Sequence, residues 1–73
     1  MEEKVLHILR TVLENENLDN TCSQVNCEAW DSLHHLNICF ELEGVFGVFF
    51  QPDEMARIKS YDDIIRLLNE KLG

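Results

Sequence analysis

Residues 31–47 read DSLHHLNICFELEGVFG, and this stretch decides the fold. It opens on Asp31 and Ser32, residue types that cap helix N-termini, and closes on Gly47, which ends a helix by adopting positive φ. Between them, apolar residues fall at Leu33, Leu36, Phe40, Leu42 and Val45–Phe46. That spacing follows the helical period, less regularly at Leu42, and shows no strand alternation. It predicts a helix over residues 32–46.

Upstream, residues 2–14 read EEKVLHILRTVLE, with apolar positions at Val5, Ile8, Leu9, Val12 and Leu13. This is an amphipathic helix, and Glu2 and Glu3 suit the positive end of its dipole. His7 is expected to be a half-exposed edge residue. Residues 15–31 lose the period, and Asn15, Asn17, Asp19, Asn20, Thr21, Ser23 and Asn26 mark a long loop. Leu18 and Val25 are its expected anchors. Downstream, Val48, Phe49 and Phe50 are expected to cross the core as a connector. Pro52-Asp53-Glu54 opens a short helix, with proline at the first position. Ser60 and Asp63 resemble a capping box ahead of a helix over residues 61–72, whose apolar positions are Ile64, Ile65, Leu67, Leu68 and Leu72. Residues 1–73 therefore read as one all-α domain, a small four-helix bundle of three main helices and one short one, with a long loop after the first.

Acidic residues outnumber basic ones 14 to 6 in these 73 residues, a net charge of −8. That excess argues against nucleic acid or an anionic membrane surface as partner, because both need a basic patch. A domain this size buries only ~60% of the surface its unfolded chain exposes, so it has little room for an enclosed active site. Carrier, adaptor or inhibitor is favoured over enzyme. The longest apolar run, Val45 to Phe50, is far short of the ~20 residues of a membrane helix, so no membrane insertion is expected. Met1-Glu2-Glu3-Lys4 lacks the basic and apolar regions of a secretory signal, and the Met1 start and short ends predict a free-standing chain.

Cys22, Cys27 and Cys39 are odd in number and irregular in spacing, unlike a disulfide framework, and they point to a reducing compartment, the cytoplasm. Cys22 and Cys27 have a zinc-like spacing, but the other ligands would be the neighbours His34 and His35, which point about 100° apart on a helix. The pair reads instead as two free loop cysteines, and Cys39 as a small apolar residue on a helix.

The junction Ala29-Trp30-Asp31-Ser32-Leu33 sets a hydroxyl at a helix N-terminus beside an acid, with an apolar residue after it. A phosphate attached there would meet unpaired N–H groups and the positive dipole end. Asp31-Ser32-Leu33 resembles the attachment motif of acyl carrier proteins. The resemblance runs through the whole chain. It includes the length, the acidity, the long first loop, Leu42-Glu43 followed by Phe46-Gly47-Val48, the Pro52-Asp53-Glu54 helix and Ser60-Tyr61-Asp62-Asp63-Ile64. Asp31 stands where peptidyl carriers typically have histidine, which favours the acyl type.

The resemblance implies that a phosphopantetheinyl transferase moves 4′-phosphopantetheine from coenzyme A onto Ser32, flanked by Asp31 and Leu33. It implies a monomer that performs no chemistry itself. The arm would carry acyl groups as thioesters to acyl-loading and acyl-processing enzymes. Partner contacts are expected at Glu28, Trp30, His34, His35, Asn37 and Glu41. The acyl chain would fold back among Leu36, Phe40, Phe46, Ile58, Ile64 and Leu68. His34 and Asn37 fall where the family often has acids, and Glu41 where a small or apolar residue is usual. These departures, with Trp30, imply a specialised lipid, polyketide or related biosynthetic pathway rather than housekeeping fatty-acid synthesis.

Plainer readings stand beside these. Ser32 can be a simple cap, Trp30 a packing residue, and His34 and His35 solvated helix residues. An unmodified acidic bundle would be an adaptor or inhibitor docking basic partners. Asp31, Ser32 and His35 have the residue types of a hydrolase triad and the spacing to share a helix face. So small a domain supplies neither an oxyanion hole nor a substrate pocket.

Overall fold

A computed structural model describes residues 1–73 as four helices without strands: α1 (Glu2–Val12), α2 (Ser32–Phe46), α3 (Pro52–Arg57) and α4 (Tyr61–Leu72). Each boundary has a local cause. α1 ends two residues before the position the period predicted, because Glu14 turns left-handed at φ 53°. The Asn15 N–H then donates to the Arg10 carbonyl at 3.0 Å and the Glu14 N–H to Thr11 at 3.4 Å, which closes the helix end with two crossed bonds. α2 starts where Asp31 caps the His34 N–H and stops where Gly47 adopts φ 64°. At α3, the Gln51 N–H donates to Glu54 Oε1 at 2.8 Å. At α4, Ser60 Oγ accepts the Asp63 N–H at 3.1 Å, while Asp63 Oδ2 accepts from Lys59 N, one residue beyond the usual box partner.

α1 lies against α2 and α4. The core holds 16 buried residues and none is charged, so no ion is desolvated in forming it. α1 gives Val5, Ile8 and Leu9, with Leu13 beyond its end, and α4 gives Ile64, Leu67 and Leu68 as their period predicted. Val12 and Ile65 sit at the stripe edges, His7 is exposed rather than half-exposed, and Leu72 is exposed. Of the expected connector, Phe50 is buried and Val48 half-buried, whereas Phe49 faces out.

α2 departs from its reading. Ile38, Cys39 and Leu42 face the core, with Phe46 packed beside them, while Leu33, Leu36 and Phe40 are exposed. At 100° per residue the two sets lie on opposite faces. The helix is apolar on both, so its period alone does not select the buried side. Leu36 and Phe40 are thereby removed from the expected acyl-lining set. Phe46 remains at the core edge, and Ile58, Ile64 and Leu68 lie within the core.

The long loop is tied down along its length. Leu18 is buried as expected, and its carbonyl accepts from Arg10 Nε at 2.8 Å. Val25 is not an anchor: it is 96% exposed at the tip of a turn that the Cys27 N–H closes onto the Ser23 carbonyl. The anchors are Leu18, Cys22 and Trp30. Gln24 N donates to the Lys59 carbonyl and Tyr61 N to the Cys22 carbonyl, each at 2.9 Å, which joins the loop to the α3–α4 junction. No helix is long and apolar enough to cross a membrane.

Candidate functional site

Ser32 is the first residue of α2 and is exposed. It does not cap the helix. Asp31 does, through Oδ1, which accepts the His34 N–H at 2.9 Å and lies 2.7 Å from His34 Nδ1. The His34 backbone N–H, and then the His34 ring, hold the Asp31 carboxyl below its usual range. Because Asp31 takes the capping role, the Ser32 hydroxyl is left facing solvent without a hydrogen bond to the protein. The N–H groups of Ser32 and Leu33 precede the first intrahelical bonds and are unpaired. Leu33 beside them is 67% exposed.

The segment leading into the cap is fixed from below. The Trp30 indole is buried, and its Nε1–H donates to His35 Nδ1 at 3.0 Å. The other ring nitrogen, His35 Nε2, lies 2.9 Å from the Met55 carbonyl. Since Trp30 can only donate and Met55 O can only accept, both bonds are satisfied by the His35 tautomer with its proton on Nε2. This chain of bonds joins the loop, α2 and α3 directly beneath Ser32. Trp30 thus packs inward, and both His35 ring nitrogens are engaged within the protein. The triad arrangement is absent, because both His35 nitrogens are committed away from Ser32.

Two open grooves flank the site. One, of about 540 Å³, is lined by Gln24, Trp30, Asp31, Ser32, His35 and Leu36. The other, of about 340 Å³, runs between α1 and α2 and is lined by Val12, His34, Asn37, Phe40 and Glu41. His34, Asn37 and Glu41 thus share one edge of α2, beside the exposed row of Leu33, Leu36 and Phe40. Glu28 is also exposed, but it lies on the loop beside a separate cavity that Cys22 and Cys27 line. No group of three His, Cys, Asp or Glu side chains is placed together in a way that could hold a metal ion.

Sequence reasoning missed the Trp30–His35–Met55 connection. Its only trace was a buried-type aromatic five residues before a histidine, a spacing that straddles the cap and belongs to no helical pattern. It also missed the approach of Cys22 to Cys27, which depends on the shape of the loop. No protein-family model matches the chain, and no curated protein is significantly similar to it.

Proposed function

We propose that the protein is an acyl carrier protein that bears 4′-phosphopantetheine on Ser32. The observation that carries this reading is the division of labour at the start of α2: Asp31 caps, and Ser32 is left with an exposed, unengaged hydroxyl. Aspartate and serine cap comparably well, and with Asp31 at the cap Ser32 stands one residue inside the helix with its hydroxyl free. The surroundings fit the group. The free Ser32 and Leu33 amides suit a phosphodiester, and the groove past Gln24, His35 and Leu36 can take the first part of an extended arm. In the loading step, Ser32 Oγ forms a bond to the β-phosphorus of coenzyme A, the pyrophosphate bridge breaks, adenosine 3′,5′-bisphosphate leaves, and the serine proton passes to the transferase. Once attached, the group supplies a terminal thiol for acyl thioesters.

The chain's own part is presentation. The bonds from Trp30 to Met55 hold the Ser32 backbone still, while Leu33 and the outer face of α2 meet the partner enzyme. That face carries Leu33, Leu36 and Phe40, with His34, Asn37 and Glu41 along one edge and Glu43, whose Oε2 accepts the Phe50 N–H, on the other. It favours partners of a specialised lipid or polyketide-type pathway over enzymes that recognise a strongly acidic helix. The same exposed row supports the second reading, an adaptor that docks through α2 without any arm. A cytoplasmic, monomeric carrier is part of the first reading.

Transfer from a fluorescent coenzyme A analogue by a broad-specificity phosphopantetheinyl transferase tests it. Wild type and Ser60→Ala should become labelled, and Ser32→Ala should not. Labelling of Ser32→Ala would overturn Ser32 as the attachment site, and labelling of none of the three while they are folded would favour the adaptor.

A further inference from the structure

We propose that Cys22 and Cys27 form a reversible thiol–disulfide site, closed by low-molecular-weight disulfides, in the loop ahead of α2. The two Sγ atoms lie 3.0 Å apart. A disulfide bond is about 2.05 Å long, so closure needs about 1 Å of movement, within a side-chain adjustment. The backbone sets this approach. The Cys22 N–H donates to Asp19 O at 3.1 Å, and its carbonyl accepts Tyr61 N at 2.9 Å. The Cys27 N–H donates to Ser23 O, and its carbonyl accepts Trp30 N, both at 3.0 Å. Asn26 closes the turn between them, accepting from Ser23 N and donating to the Thr21 carbonyl. Both sulfurs are held by structure that exists before any oxidation.

Access and order follow from burial. A cavity of about 580 Å³ reaches both thiols from solvent, past Leu18, Asp19, Asn26 and Glu28. Cys27 is half-buried on it and Cys22 is buried. Burial, and then the Cys27 thiol beside it, push Cys22 up to about 12, so Cys27 meets the reagent first. The Cys27 thiolate attacks one sulfur of oxidised glutathione, a mixed disulfide forms, and one glutathione thiolate leaves. Cys22, losing its proton to solvent, then attacks Cys27 Sγ. The intramolecular bond forms and the second glutathione leaves. Two protein thiols are oxidised and one glutathione disulfide is reduced to two thiols. Cys39, buried on α2 between His35 and Glu43, takes no part. The closed bond would link the strip pinned to Tyr61 with the strip that leads into Trp30, and so fix the approach to α2. The inference rests on the loop alone and is independent of the carrier reading.

The test incubates the purified full chain with oxidised glutathione, quenches with acid, alkylates, and reads intact mass and a peptide map. Wild type should become two hydrogens lighter, with only Cys39 alkylated and Cys22 linked to Cys27. Cys39→Ser and Ser32→Ala should close in the same way, which excludes that thiol and any thiol on Ser32. Cys22→Ser should stop at a stable mixed disulfide on Cys27. Cys27→Ser should react at Cys22 at least about tenfold more slowly than wild type reacts at Cys27. A wild-type chain that retains glutathione on Cys27, or that closes through Cys39 or between chains, would overturn the proposal. Equal rates at Cys22 and Cys27 would overturn the order.

Discussion

Trp30 holds the residue before the cap with a buried indole and a single hydrogen bond, and its loss is correspondingly testable. Trp30→Phe keeps most of the packing but leaves His35 Nδ1 without its donor, and should cost about 1–2 kcal/mol in urea unfolding. Trp30→Ala also opens a cavity and should cost about 3–5 kcal/mol, enough to unfold much of so small a domain. If the two variants were equally stable, the indole packing would not matter. Asp31 gives a pH signature. Its folded pKa lies below its unfolded one, so its contribution is complete above the ordinary carboxylate range. It is lost as pH falls through the folded value, below about pH 4. Asp31→Asn keeps a capping side chain but no charge. Its melting temperature should fall below that of wild type at pH 7 and approach it by pH 3. A gap independent of pH would contradict the ionised cap. At this scale the sequence was read unevenly. Asp31, Ser32 and Leu33 stood out because cap chemistry is local. The inward turn of Trp30 and His35 did not, because it depends on where α3 places the Met55 carbonyl.

The elements follow from local signals to different degrees. α4 is fixed by Ser60 and a one-sided apolar stripe. Ser60→Ala should cost about 1 kcal/mol, and an unchanged melting curve would remove the cap from the account. α1 is written as clearly, except at its end, where Glu14 occupies a left-handed position that glycine would hold without strain. Glu14→Gly should therefore stabilise the chain by about 0.5–1 kcal/mol despite glycine's greater freedom when unfolded, and destabilisation would show that the Glu14 side chain has a role in the fold. α2 was legible in extent but not in rotation. Its ends are marked by Asp31 and Gly47, yet Leu33, Leu36 and Phe40 lie opposite Ile38, Cys39 and Leu42. Only packing against α1 decides which set is covered. The loop was legible as a loop, but its anchors were not, since Val25 and Cys22 differ in burial only through the pairing of residues 22–24 with the α3–α4 junction.

The whole molecule carries −8 over a radius of gyration of 11.0 Å, so like charges are crowded. Repulsion of this kind is screened by salt, and the melting temperature should rise between 10 mM and 300 mM sodium chloride, conditions that shorten the Debye length from about 30 Å to about 6 Å. No change would mean that the acids are already compensated locally, as Glu54 is by Lys71 at 2.9 Å. The all-α class and the helix count were legible because each rests on local pattern. The groove beside Ser32 was not, because it depends on how the loop at Gln24 and Trp30 folds back against the start of α2. The central claim is that Ser32 is left free to be modified while Asp31 caps α2. The most direct test is the intact mass of the purified chain before and after incubation with phosphopantetheinyl transferase and coenzyme A. The account predicts the addition of one phosphopantetheine, absent in Ser32→Ala. An unchanged mass on folded wild-type protein, with both a broad and a selective transferase, would contradict it.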